Sequence, residues 1–229
     1  MNNEGRLNDC LNLMQTLMQY RQQPIHGQLN KIGNRYSMLH LDVLLLIYHF
    51  AKTCAGHILE IGAFLGGATM AAAMGVRDSE KQKAIMTIEP GGSLKHRRVG
   101  TKNILRDLGR NLAKKRMSEM ATLIKGHSFE PATISAVEQT LGSEEVGLLV
   151  IDADGAVQRD INCYGGLLAD GCWLVIDDYA GPAENIKVTP TRRDVDALVA
   201  EAASRLSGFT VGAHGSDGGG KKAIPLDRR

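Results

Sequence analysis

The sequence predicts an α/β fold with a doubly wound, mostly parallel sheet, and two observations support this prediction. Unbroken apolar runs at 146–151 and 172–176 are typical of strands buried on both faces, and each run is followed by aspartates. A helical segment from about 158 to 169 separates the runs, which makes a parallel crossover unit. Because the carboxyl ends of neighbouring parallel strands open into one crevice, we expect these acidic residues to meet there.

The bulk composition indicates one domain with an accessory segment. The 229 residues are enough for a sizeable core, and we assign residues 1–54 to an N-terminal helical cover and residues 55–229 to the main domain. The 27 basic and 25 acidic residues give a net charge of +2, which offers no electrostatic case for nucleic acid as a partner.

Cysteine usage and hydropathy predict a cytoplasmic protein. The 4 cysteines (Cys10, Cys54, Cys163 and Cys172) show no paired metal spacing and are expected to be reduced thiols. The first residues lack the basic-then-apolar order of a signal peptide, and the most apolar helix is too short to span a bilayer. We therefore expect no membrane partner.

The N-terminal segment begins with an amphipathic helix. Leu7, Leu11, Met14 and Met18 recur at helical spacing, and we expect this stripe to pack on the domain, with a lid or a dimer helix as the alternative. The stripe makes a homodimer possible. The next stretch, 22–34, has a turn-prone composition, and a largely buried helix is expected at about 37–52.

The remaining elements complete five strand–helix units and a final strand pair. The first three strands are expected at 57–61, 84–88 and 121–124, with helices at about 98–116 and 131–141. After the central unit we expect a helix at 192–206 and short strands near 209–211 and 223–226, joined by a glycine-rich connection. Pro225 lacks the N–H that a central strand needs, so the C-terminal strand is where the sheet could deviate.

A glycine turn between the first strand and its helix is the first sign of a ligand. Glu60 precedes Gly62 and Gly66, where glycines let a ligand approach the backbone at a helix N-terminus. The spacing is not the dinucleotide fingerprint, because three residues separate the two glycines. The acidic residue suits a positively charged ligand, and Glu89 after the second strand is placed to accept both hydroxyls of a ribose. A cationic ligand with a ribose fits S-adenosylmethionine better than NAD.

Four features in order extend this signal: the glycine turn, Glu89, the Gly126-His127-Ser128 turn, and Ile-Asp-Ala-Asp after the fourth strand. Together they resemble the class I S-adenosylmethionine-dependent methyltransferases over residues 57–180, which implies a seven-stranded Rossmann-like sheet. By that resemblance Glu60, Gly62 and Gly66 line the methionine part of the cofactor and Glu89 its ribose. The other residues implied in binding are Phe64 and Thr69 on the turn, Ser128 near the adenine, and Asp152 near the methionine amine. Many relatives carry a serine at the position of Ala68, and Thr69 could replace its hydrogen bond.

The two aspartate clusters resemble those of the cation-dependent O-methyltransferases, such as the catechol and caffeoyl-coenzyme A enzymes and antibiotic-tailoring relatives. That resemblance implies one divalent ion held by Asp152, Asp177 and Asp178. All-oxygen ligands select a hard ion such as Mg²⁺ or Ca²⁺, at which a vicinal diol could chelate. The alternative is that Asp152 or Asp154 caps the following helix while Asp177 and Asp178 face solvent.

The expected general base is missing. Many of these enzymes carry a lysine or histidine three residues after the first metal aspartate, where this chain has Gly155. Asp154, His127 or His214 could substitute, or the metal alone could acidify the acceptor.

The sequence thus predicts a cytoplasmic S-adenosylmethionine-dependent O-methyltransferase acting on a small hydroxylated molecule, catechol- or diol-like, of the kind found in secondary metabolism. Two alternatives stay open: a metal-independent methyltransferase, and a non-catalytic protein that binds S-adenosylmethionine.

Overall fold

The fold is organised around a sheet in the order β3-β2-β1-β4-β5-β7-β6. The computed structural model describes residues 3–181, 185–205, 212–216 and 219–226. The first five strands run parallel, and β7 and β6 continue the sheet as an antiparallel pair. The strands are β1 His57–Ile61, β2 Ile85–Glu89, β3 Ala121–Lys125, β4 Val146–Ile151, β5 Leu168–Ile176, β6 Gly212–Ser216 and β7 Gly219–Leu226.

Helices cover both faces of this sheet. The helices are α1 Asn3–Tyr20, α2 Pro24–Tyr36, α3 Leu41–Thr53, α4 Gly67–Arg77, α5 Ile104–Lys114, α6 Pro131–Leu141, α7 Val157–Tyr164 and α8 Val188–Arg205. One hydrophobic core joins α2, α3, α4 and α5 to the sheet, and a second core joins α6, α7 and α8 to the opposite face. The predicted doubly wound α/β fold with a mostly parallel sheet is therefore confirmed.

The central strands form because their side chains are apolar on both faces. Every residue of β4 is buried, and β4 pairs with β1 on one side and β5 on the other. A strand that helices cover on both faces has no side chain in contact with water, so all of its residues can be apolar. The order reverses between β1 and β4, which makes their carboxyl ends the topological switch point where ligands of such sheets bind.

The turn-prone interpretation of 22–34 is wrong, because α2 occupies most of this stretch. Pro24 stands at the first position of the helix, where its missing N–H costs nothing. Ile25, Leu29 and Ile32 recur at helical spacing and are all buried in the core. The glycines and asparagines that suggested turns lie mostly on the other faces of the helix.

The expected packing of the α1 stripe is also wrong for the three of its residues whose side chains are described. Leu11, Met14 and Met18 are exposed, whereas Leu13 and Leu17 pack against the core. Helix α1 has apolar residues on two faces, and the face that includes Leu13 and Leu17 is the one that contacts the domain. The side chains of Leu7 and Cys10 lie outside the described residues.

The C-terminal strands deviate little from a regular sheet. Pro225 lies in β7 opposite Trp173 of β5, and among the described residues β6 pairs with β7 from Gly219 to Ala223. The pairing of β7 with β5 thus continues through Pro225 despite its missing N–H. The strand expected at 209–211 falls outside the described residues, and β6 follows it directly.

Among the described residues, no helix combines the length and hydropathy that crossing a membrane requires.

Candidate cofactor and metal site

Backbone hydrogen bonds continue beyond the ends of the strands and hold the predicted site residues next to one another. The N–H of Gly62 donates to Ile88 O at 3.0 Å, and the N–H of Asp152 donates to Ile61 O at 2.9 Å. The N–H of Asp177 donates to Ile151 O at 2.9 Å. The residues that follow β1, β4 and β5 are thus held at one edge of the sheet.

A cavity of about 360 Å³ opens at this edge. Its walls come from the glycine turn, the ends of β2 and β4, the turn after β3, the 90–94 loop and the α2–α3 connection. Of the predicted cofactor residues, five line it: Gly62, Phe64, Glu89, Ser128 and Asp152. Met38 and Phe129 both line the cavity and are both exposed to solvent, so the opening of the cavity has an apolar rim.

The glycine turn holds its shape through unusual backbone angles. Gly62 has φ +93°, and a Cβ there would collide with the carbonyl oxygen of Asp152. Phe64 has φ +50°, a conformation that bulky residues rarely adopt, and its N–H donates to Glu89 Oε2 at 2.8 Å. A strained backbone persists only where the surrounding structure holds it, and strained residues are concentrated at ligand and active sites.

Glu89 is a fixed carboxylate at the cavity wall. Its Oε2 accepts from the N–H of Phe64 and its Oε1 accepts from the N–H of Gly91, each at 2.8 Å. A carboxylate has about four lone-pair sites, so each oxygen can accept a further hydrogen bond. The chemistry of this donor set fits a vicinal diol such as that of a ribose.

Glu60 lies beneath the turn instead of lining the cavity. Its Oε2 accepts from the hydroxyls of Thr69 at 2.6 Å and Thr87 at 2.7 Å, while its buried Oε1 has no partner among the described residues. Burial raises the pKa of Glu60 to about 7, although both threonine hydrogen bonds oppose the shift. Thr69 is fully buried and does not reach the cavity, and Ala68 lines it instead. Gly66 also lies outside the cavity walls and caps α4 with φ +91°.

Ser128 belongs to a network that the sequence did not reveal. Its hydroxyl donates to Asp160 Oδ1 at 2.6 Å, and Arg159 Nη2 lies 3.4 Å from the same hydroxyl. Asp160 is fully buried, and Arg159 stacks its guanidinium 4.4 Å from the centre of the Phe129 ring. Asp160 lies on α7 and Ser128 follows β3, so only the tertiary fold brings them together.

The three predicted metal ligands do meet. Oxygen atoms of Asp152, Asp177 and Asp178 all lie within 4.8 Å of one another. Asp178 adopts a left-handed backbone with φ +57°, and its carboxylate also contacts Asn185 Nδ2 at 3.1 Å and Lys187 Nζ at 3.7 Å. Lys187, which also lines the cavity, was not predicted from the sequence. The three residues are partly buried, so their carboxylates converge while keeping some contact with solvent.

The three candidate bases differ in position. Asp154 pairs with Arg159 at 2.8 Å, and this contact holds the pKa of Asp154 below its usual value, which makes it a poor proton acceptor. His127 lines the cavity and stacks on Phe129, with ring centres 5.4 Å apart. His214 lies in β6, and its side chain is outside the described residues.

Gly155 cannot be exchanged for a residue with a side chain without strain. Its φ is +88°, and a Cβ would lie 2.8 Å from the carbonyl oxygen of Lys187 and 3.0 Å from Thr191 Oγ1. We expect Gly155→Ala to lower the free energy of unfolding by about 2–3 kcal/mol, measured by urea denaturation. Gly171→Ala is the matched control, because Gly171 has φ +74° and open space around it. We expect this change to lower the free energy of unfolding by about 1 kcal/mol. Equal losses in the two variants would contradict the crowding at Gly155.

Comparison with protein families identifies the domain that carries this site. Residues 59–179, more than half of the chain, match the model of a methyltransferase domain. The chain belongs to this methyltransferase domain family. The matched range includes the glycine turn, Glu89, Ser128 and the aspartates at both strand ends, and it confirms the methyltransferase resemblance seen in the sequence.

Solved structures similar to this methyltransferase share its fold at low sequence identity. A Staphylococcus aureus protein provisionally assigned as a caffeoyl-CoA O-methyltransferase is 19% identical, with a TM-score of 0.63 over 94% of this chain and 99% of its own. A Bacillus cereus O-methyltransferase in complex with SAH is 17% identical, with a TM-score of 0.59 over 92% and 90%. The Streptomyces achromogenes O-methyltransferase TomG, involved in tomaymycin synthesis and solved with SAM, is 18% identical, with a TM-score of 0.57 over 83% and 82%. No curated protein matches the chain.

Proposed function

We propose that this methyltransferase transfers the methyl group of S-adenosylmethionine to a hydroxyl of a small catechol- or diol-like molecule, with a divalent cation at Asp152, Asp177 and Asp178. One observation carries the proposal: the glycine turn, Glu89 and Asp152, the first of the three clustered carboxylates, line a single cavity at the switch point of the sheet.

The cofactor assignment is supported by the fit between the cavity wall and an adenosyl ligand. Glu89 offers two further lone pairs to a ribose diol, and Gly62 lets a ligand approach the backbone closely. Ser128 would face the adenine and Asp152 the methionine ammonium. Bound here, S-adenosylmethionine supplies an electrophilic methyl group on a sulfonium. The protein binds the acceptor and orients its oxygen toward that methyl.

The metal assignment is supported by three converging carboxylate oxygens with no nitrogen or sulfur ligand among them. A purely oxygen donor set favours Mg²⁺ or Ca²⁺. Such an ion would lower the pKa of an acceptor hydroxyl, which compensates for the missing base at Gly155. His127 stays a candidate for receiving the proton because it lines the cavity, whereas the ion pair of Asp154 makes that residue the weaker choice.

The apolar rim of the cavity supports the proposed class of acceptor. Met38 and Phe129 suit an aromatic ring that carries the hydroxyls.

Tyr36 to Leu39 line the cavity, which supports the segment 1–54 as its cover. Cys54 and Cys163 carry free thiols, in keeping with a cytoplasmic protein, and the exposed face of α1 would suit a homodimer.

A second candidate function keeps the cofactor and omits the metal. The ammonium of Lys187 lies 3.7 Å from Asp178 Oδ2, so a protein cation already offsets part of the negative charge of the cluster. In this reading, positioning of the acceptor alone supports methyl transfer. Turnover that is unchanged by excess chelator would favour this candidate over the metal-assisted one.

The cofactor assignment is tested by calorimetric titration of S-adenosylmethionine into the wild-type protein and Glu89→Gln, each with Mg²⁺ and with chelator. We expect Glu89→Gln to bind at least about 10-fold more weakly, because a ribose hydroxyl loses a charged acceptor and an amide N–H₂ faces a backbone donor. Glu138→Gln, an exposed change on α6, should bind like the wild type. Failure of the wild type to bind would overturn the proposed function.

A further inference from the structure

The hydrogen bonds around Ser128 fix the direction in which its hydroxyl points. A serine hydroxyl has one proton to donate and two lone pairs that accept. The proton is directed at Asp160 Oδ1, 2.6 Å away, and Arg159 Nη2 approaches one lone pair at 3.4 Å. The hydroxyl therefore has no proton left to donate to a ligand in the cavity that Ser128 lines, and it can only accept from one.

Asp160 is held so that it keeps this role. Its Oδ1 also accepts from Arg159 Nε at 3.2 Å and Nη2 at 3.0 Å, so three donors converge on one oxygen. The hydroxyl of Tyr164, which is fully buried, donates to the backbone oxygen of Ser128 at 2.6 Å and fixes the main chain. Asp160 is itself fully buried and does not line the cavity, so it acts only through its neighbours.

This arrangement carries a cost that packing alone does not explain. Oδ2 of Asp160 is buried and has no partner among the described residues. A buried polar atom without a protein partner is unfavourable, so the carboxylate of Asp160 costs stability at this position. Replacing Asp160 by an apolar residue would remove that cost, but it would also release the proton of Ser128.

We propose that Asp160 is a positioning residue that locks Ser128 as a hydrogen-bond acceptor, so that the cavity selects a nucleoside base with an amino group over one with a carbonyl. An amino group donates to the lone pair of Ser128, whereas a carbonyl oxygen would place lone pair against lone pair. The proposal rests on the proposed function, since it assumes that the adenosyl cofactor binds in this cavity.

The test compares S-adenosylhomocysteine, which has an amino group and an accepting ring N1, with S-inosylhomocysteine, which has a carbonyl and an N1–H. The change at N1 is the same for every variant, so the effect of Asp160 is the change in the ratio of the two affinities between variants. By calorimetry the wild type should prefer the adenosyl ligand at least about 10-fold. In Asp160→Ala the serine proton is free to turn toward a carbonyl, so the preference should fall to about 2-fold or less. A merely structural role would weaken both ligands equally and leave their ratio unchanged.

Asp160→Asn is the conservative counterpart. The two N–H groups of Arg159 hold the amide oxygen on the side of Ser128, so the serine still donates and the preference should persist. A lost preference in Asp160→Asn, or an unchanged one in Asp160→Ala, would overturn the proposal, and the first of these remains measurable if Asp160→Ala does not fold. Equal wild-type binding of both ligands would overturn the proposal alone, whereas binding of neither would overturn the proposed function as well.

Discussion

Asp152→Asn should abolish Mg²⁺ binding and reduce methyl transfer to a catechol by about 1,000-fold. The change keeps the size of the side chain and removes one of three carboxylates whose oxygens lie within 4.8 Å of one another. A divalent ion that lowers the pKa of a bound hydroxyl would contribute several kcal/mol, and each 1.36 kcal/mol corresponds to about tenfold in rate. Calorimetric titration of Mg²⁺ measures the site directly, without reference to turnover.

The matched control for this variant lies on β5, the strand that two of the ligands follow. Asp170 is an exposed residue in the first half of β5, whereas Asp177 and Asp178 follow the other end of that strand. Asp170→Asn removes the same charge and should leave both Mg²⁺ binding and turnover at the wild-type level. Full activity of Asp152→Asn, or full wild-type activity in excess chelator, would remove the metal from the mechanism and favour the reading in which Lys187 offsets the charge.

The convergence of the aspartates could be predicted because it depends on topology alone. Parallel strands joined by crossovers end on the same edge, and the apolar runs before Asp152 and Asp177 identify two such strands. The cavity position of Gly62 and Glu89 follows from the same rule. These residues stand directly after or at the end of a strand, so their placement needs no knowledge of side-chain packing.

The interactions that the sequence did not reveal depend on tertiary packing and not on a local sequence pattern. Ser128 and Asp160 are 32 residues apart and meet only because α7 packs beside the turn after β3. Lys187 reaches Asp178 across a connection whose path no local pattern specifies. Thr69 was assigned to the cofactor because it lies on the glycine turn, but the helical rotation from Ala68 directs it inward to Glu60.

Glu60→Gln should stabilise the protein at alkaline pH by about 3 kcal/mol, with the gain fading in acid. Burial raises the pKa of Glu60 from 4.5 to about 7, so the folded protein binds this proton more tightly than the unfolded chain does. Wild-type stability therefore falls as the pH rises from about 4.5 to about 7 and is level above that range. A difference of about 2.5 pKa units corresponds to about 3 kcal/mol.

The glutamine reproduces the protonated acid at every pH. Its amide oxygen can accept from Thr69 and Thr87 as Oε2 does, and its N–H₂ occupies the place of Oε1, which has no partner among the described residues. Urea denaturation of both proteins at pH 5 and pH 8.5 measures the difference. Glu119→Gln, a change at an exposed position, should follow the wild-type curve at both pH values. A Glu60→Gln variant that is less stable than the wild type at pH 8.5 would mean that the ionised carboxylate is held by a compensating donor, and the buried charge would then not be the source of the pH dependence.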